Sequence, residues 1–192
     1  MKSAGAKAAL VVALLLGAGL LGADAWLRPL NEGERALHEG RLEPALEHFA
    51  AAEKRFAELP AAKQALPQAY ALLQGNQLWA LYQLRRYDAL LEKAALAPSL
   101  APVHFWAGCA LFVKAREEQA PEARQSWLGR AGDEFKKALE KAPEDFDTRY
   151  NHELTQRLLL EMKKQPKTPP AQLMQMLRPK PKEGQPPPKR VG

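Results

Sequence analysis

Between Ala131 and Leu154 the chain reads AGDEFKKALEKAPEDFDTRYNHEL, and this stretch limits the possible folds more than any other. Ala131, Phe135 and Ala138 recur at helical spacing and so share one face. The two alanines let a neighbouring helix approach closely, while Phe135 fills the gap between them. Pro143 must end that helix, because it lacks an N–H and its ring clashes with the preceding turn. A second helix then opens on Glu144, Asp145 and Asp147, whose charges suit the positive end of a helix dipole. Leucine and alanine are abundant and β-branched runs are nearly absent outside Val11-Val12, which favours helix throughout. The expected class is all-α.

Ala131, Phe135, Ala138 and Pro143 stand at the spacings of the second helix of a tetratricopeptide repeat, so the chain resembles that family of helical hairpins. Two further repeats follow the same template. In NEGERALHEGRLEPALEHFAAAEKRF, Gly33 and Ala36 lie on a first helix, Gly40-Arg41-Leu42 forms the turn, and Ala45, Phe49 and Ala52 follow without gaps. In GNQLWALYQLRRYDALLEKAALAP, Leu78, Leu81 and the turn Leu84 to Tyr87 are kept. Leu90, Ala94 and Ala97 replace the expected Ala, aromatic and Ala. The third repeat begins with VHFWAGCALFVKAREE, and Gly108 lies 23 residues before Ala131, against 12 from Gly33 to Ala45. About 11 residues are therefore inserted around Glu118 to Trp127, as a loop or as a longer helix pair. The final helix, roughly 146–164, should present Arg149, Gln156, Arg157 and Lys163 to water as a cap.

The resemblance implies an all-α, tetratricopeptide-like helical-hairpin solenoid of about seven helices over residues 30–164. First helices of such repeats line a concave face. That mapping places Glu34, His38, Trp79, Tyr82, Phe105 and Phe112 toward a partner-binding groove, where aromatics make strong anchors; the other reading has these aromatics closing the core.

Residues 1–29 form an N-terminal membrane anchor or signal segment. Residues 8–23, AALVVALLLGAGLLGA, carry no charged or hydrogen-bonding side chain and follow Lys2 and Lys7. Positive charge on that flank keeps it cytoplasmic and exports the rest. Two outcomes fit: a single-pass anchor through residues 8–27 of a bacterial inner membrane with a periplasmic body, or release to the periplasm after cleavage at Ala25. The length of the apolar run favours the anchor.

The net charge of +6 is unevenly spread. Residues 163–192 hold eight bases and one acid, for +7, leaving −1 on the rest. A nucleic-acid partner would want a basic, aromatic-studded face on the folded part, and the sequence offers none. Residues 165–192 are proline- and lysine-rich, with eight prolines after Gln165, and are expected to be a disordered basic tail. Within it, Leu173, Met174, Met176 and Leu177 make an amphipathic island suited to a partner groove.

Chemistry is hard to find. His38, His48, His104 and His152 form no metal-ligand spacing, and the glycines make no phosphate loop. No serine sits in a nucleophile elbow. PEDFD at 143–147 lacks the glycine and glutamate of a calcium loop and reads as helix capping. Cys109 is the single cysteine and lies in the apolar run FWAGCALFV, where it should pack as a small hydrophobe. The expectation is a protein that is not an enzyme, with no catalytic residues, no metal site and no cofactor.

KAPEDFDTRYNHELTQRLLLEMKKQP at 141–166 resembles the last repeat of tetratricopeptide proteins from bacterial gene groups built around a MoxR-type ATPase and von Willebrand factor A-domain proteins. Arg149, Tyr150, Asn151, Glu153 and Leu154 carry the match. The size and layout are most similar to the MxaK-type accessory proteins of methanol oxidation, with the BatC-like aerotolerance proteins second. The resemblance implies MoxR-group or von Willebrand A-domain partners and a role in maturing a periplasmic enzyme such as methanol dehydrogenase, calcium insertion included. The alternatives are a BatC-like stress scaffold and a soluble exported carrier of a small ligand or metal.

Overall fold

The computed structural model describes residue 22 and residues 24–164. Among these residues it is all-helical, with eight helices and no strand. They are α1 (24–38), α2 (Leu42–Glu58), α3 (Ala61–Ala65), α4 (Pro67–Gln83), α5 (Tyr87–Leu96), α6 (Ala101–Glu117), α7 (Pro121–Lys141) and α8 (Phe146–Lys164). The short α3, which the repeat pattern does not foresee, occupies the link between α2 and α4. The apolar segment before residue 22 and the tail residues Leu173, Met174, Met176 and Leu177 lie outside the described residues. Among those described, no helix is long and apolar enough to cross a membrane.

Longer helices pack in pairs, and each pair leans on the next: α2 on α4, α4 on α6, α5 on α6, α7 on α8. Two pairs are locked in the same way. A Cβ built at Gly33 of α1 would meet Phe49 Cδ1 of α2 at 2.6 Å, and one at Gly108 of α6 would meet Phe135 Cε1 of α7 at 2.6 Å. Only glycine admits these fully buried rings so close to the partner helix. Ala45 and Ala52 flank Phe49, and Ala131 and Ala138 flank Phe135, all buried. The small-large-small pattern is therefore a physical fit between helices.

The middle pair, α4 and α5, turns as the first pair does. Gly40 (φ +72) and Arg85 (φ +57) both end a helix in the left-handed region. Arg41 N–H bonds Ala36 C=O at 2.8 Å, and Arg86 N–H bonds Leu81 C=O at 2.9 Å, the same six-to-one closure. Counted from that turn, Leu78 stands where Gly33 does and Ala94 where Phe49 does. The bulk has moved from the second helix to the first. Leu78 and Leu90 are fully buried in one cluster, with Ala94 packed against it.

The residues inserted in the third repeat are mostly helix. α6 runs to Glu117 and α7 begins at Pro121, leaving a three-residue turn, Glu118 to Ala120. The Glu118 carboxylate accepts N–H bonds from Gln119 (2.9 Å) and Ala120 (3.0 Å), and Arg124 donates to the Glu118 carbonyl at 2.7 Å. Pro121 begins α7 where its missing N–H costs nothing. On the added length, Trp127 lies beneath Lys114 and Arg130, at 5.4 and 4.7 Å from its ring centre.

Two boundaries differ from the simplest sequence picture. Trp26 and Leu27, at the end of the apolar segment, belong to α1 and pack on the first core cluster. Trp26 meets Phe56 edge-on at 4.7 Å, and Arg55 donates to the Ala25 carbonyl at 2.9 Å. At the other end, α8 does expose Arg149, Gln156, Arg157 and Lys163. Its outer face is less polar than expected, however, since Phe146, Tyr150 and Leu160 are more than half exposed there.

Candidate functional site

Three helices, α1, α4 and α6, share one face and enclose a groove of about 710 Å³. Each contributes residues four apart, so each pair stacks one turn above the other. Glu34 and His38 come from α1, Gly75 and Trp79 from α4, and Pro102 and Trp106 from α6. Leu37 and Leu72 also line it, and Leu72 is 43% exposed. Gly75 keeps α4 and α6 close, since a Cβ there would touch Pro102 Cβ at 3.0 Å. The result is an open, largely apolar groove with one carboxylate, one imidazole and the Gln68 and Asn76 amides.

The structure thus brings together three of the six body residues singled out in the sequence: Glu34, His38 and Trp79. The other three pack in the apolar clusters. Tyr82 stacks between Tyr87 and Trp106, with ring centres 5.6 and 5.4 Å away. Phe105 lies 4.9 Å from Trp106 and 6.2 Å from Phe135, and Phe112 packs with Leu111, Ala131 and Phe135. Trp106 is the groove residue that sequence reading missed. It neighbours Phe105 in sequence, about 100° away around the helix. The four-residue spacing of Glu34 and His38, repeated as Pro102 and Trp106, would have found it.

A second opening lies on the other side of α6, between α5 and α7, with a volume of about 490 Å³. Ala94, Ala97, Val103 and Ala107 form apolar walls. Ser99 Oγ lies 2.8 Å from His104 Nε2, and His104 Nδ1 lies 2.7 Å from Glu134 Oε2. Lys137 donates to the other Glu134 oxygen at 2.7 Å. Burial pushes the Glu134 carboxyl up, but the hydrogen bonds from Lys137 and His104 outweigh it and hold the group below the usual carboxylate range. The same pairing raises the Lys137 ammonium, chiefly through the Glu134 hydrogen bond. Metal spacing is the wrong filter for His104, because its partners come from a loop and from another helix.

Elsewhere the titratable groups act structurally. Glu53 of α2 accepts from Lys93 of α5 at 2.8 Å and from the buried Gln77 and Gln74 of α4 at 3.2 and 3.3 Å. Burial raises its carboxyl, and Lys93, Gln77 and Gln74 together pull it below the ordinary value. Burial pushes the Cys109 thiol up to about 12, so it stays protonated and unreactive at neutral pH. Among the described residues, no group of three or more His, Cys, Asp or Glu side chains is arranged to hold a metal ion.

Compared with known protein families, with curated proteins and with solved structures, the chain finds no match in any of the three.

Proposed function

We propose that this chain is a tetratricopeptide-type adaptor, anchored in a bacterial inner membrane, whose groove across α1, α4 and α6 holds a segment of a partner protein on the periplasmic side. The groove carries the reading: first helices of successive pairs present Glu34 and His38, Gly75 and Trp79, and Pro102 and Trp106 to one open surface. Exposed Leu72 and the two tryptophans supply apolar anchors, and Gln68 and Asn76 supply hydrogen bonds to a peptide backbone. The Gly33–Phe49 and Gly108–Phe135 contacts and the shared turn at Gly40 and Arg85 support the solenoid assignment.

Membrane attachment rests on the charge-flanked apolar segment at 8–23. Because Trp26 already packs on Phe56, little chain separates that segment from the helical body. The groove would therefore work close to the membrane surface. The resemblance at 141–166 implies the proposed partners: MoxR-group or von Willebrand A-domain proteins, and a periplasmic dehydrogenase whose assembly the adaptor assists.

A photo-crosslinking residue placed at Leu72 in the native bacterium tests this. The expected adduct joins the chain to the dehydrogenase or to a von Willebrand A-domain protein, and it disappears with Trp79→Ala. Adducts from a control position on α8 but none from Leu72 would remove the groove from the account.

A further inference from the structure

We propose that Ser99, His104 and Glu134 form an acyl-transfer site that hydrolyses small esters, with the cleft between α5 and α7 as its acyl pocket. Nucleophilic catalysis by a hydroxyl needs a base on the hydroxyl and a third group that orients the base. Both contacts are present and use the correct imidazole nitrogens: Ser99 Oγ to Nε2 at 2.8 Å, and Nδ1 to Glu134 Oε2 at 2.7 Å. An ionised Glu134 accepts the Nδ1 proton and leaves the Nε2 lone pair facing the Ser99 hydroxyl. Lys137 occupies the other oxygen of Glu134, so the carboxylate is held from both sides.

Exposure is graded in the order the chemistry requires. The side chains of His104 and Glu134 are 14% and 20% exposed, whereas Ser99 is open to solvent. Ser99 also lies immediately before α6. The Leu100 and Ala101 amides there belong to the first turn, which has no intrahelical acceptors. Ala94, Ala97, Val103, Ala107 and Leu111 form one apolar wall of the space of about 490 Å³, room for a short acyl chain, while Arg130, Asp133 and Lys137 line the opposite, charged side. The middle helix pair creates this room by placing alanines on α5.

In the reaction, Ser99 Oγ bonds to the ester carbonyl carbon as its proton passes to His104 Nε2. The carbonyl carbon–alkoxy oxygen bond then breaks, and His104 gives that proton to the departing alcohol. Water, deprotonated by His104, attacks the acyl-Ser99. The carboxylic acid leaves and Oγ regains a proton, so ester and water become acid and alcohol. Ser99 and His104 are the catalytic residues, and Glu134 positions His104.

The test uses the purified full chain, with p-nitrophenyl acetate and butyrate as substrates and a fluorophosphonate as covalent probe. Mass spectrometry should find the probe on Ser99. Ser99→Ala, an exposed and structurally mild change, should lower kcat by at least about 100-fold, and His104→Gln by as much. Glu134→Gln should cut kcat with KM unchanged, and Glu134→Asp should restore much of the loss, a split that a merely structural tie between α6 and α7 would not give. Equal hydrolysis by the wild type and Ser99→Ala overturns the proposal. So does a lack of Ser99 adduct under conditions that fully label a known serine hydrolase.

Discussion

The outer helix pairs, α1/α2 and α6/α7, differ from the middle pair, α4/α5, in where they keep their bulk. Each outer pair sets a glycine on the first helix against a phenylalanine on the second: Gly33 with Phe49, and Gly108 with Phe135. The middle pair sets Leu78 on the first helix and Ala94 on the second. Both arrangements fill the space between two helices, because a core tolerates exchange of residues when volume is conserved. The exchange also has consequences outside the core. Small residues along α5 line the cleft beside Ser99 and His104, and the same pair's α4 contributes Leu72 and Trp79 to the groove. The repeat that departs most from the pattern therefore contributes to both openings.

The largest effects should come from the outer locks. Phe49→Ala and Phe135→Ala each delete a fully buried ring and should cost about 3–5 kcal/mol in chemical denaturation. Leu78→Ala removes less volume at the middle pair and should cost about 2–4 kcal/mol. A Leu78→Ala loss well below that range would show the middle pair to be loosely packed, and the comparison would break.

Polar ties set the next scale. The folded Glu53 carboxyl titrates below its unfolded value, so its stabilisation is present above the unfolded pKa and is lost as pH falls through the folded one. Because Glu53 is partly exposed, the expected contribution is about 0.5–1 kcal/mol. Glu53→Gln should lower stability at pH 7 and flatten its decline into acid, and an unchanged acid limb would remove this tie between α2, α4 and α5. The smallest effect should be a gain. Arg85 has φ +57 at the turn where the first pair uses Gly40, so Arg85→Gly should raise stability by roughly 0.5 kcal/mol in thermal melts.

Much of this architecture was legible in the chain, because helix ends and close approaches leave local marks. Gly40 marked a turn, Pro143 a helix end, and the small-large-small run Ala45, Phe49 and Ala52 a packed helix face. The Arg85 turn was harder to read, since nothing in an arginine announces a positive φ. The insertion before Trp127 became helix because Pro121 and the Glu118 turn restart the chain at once, and spacing alone left loop and helix open. Groove positions were half legible. A periodicity locates a face only once its phase is fixed, and starting from Phe105 in place of Trp106 turned the expected stripe of α6 into the core. Ser99, His104 and Glu134 could not be assembled from the sequence at all, because α7 must first be packed on α6.

The most direct test of the exchange of bulk between helices is a double-mutant cycle on the middle pair in the full chain. Leu78→Gly should leave a cavity, Ala94→Phe should overpack, and the double variant should rebuild the glycine–phenylalanine lock of the outer pairs. The double variant should then be more stable than the sum of the single losses predicts, by about 1–3 kcal/mol. Losses that add to within about 0.5 kcal/mol would mean that residues 78 and 94 do not share one space, and the equivalence of the three helix pairs would fall.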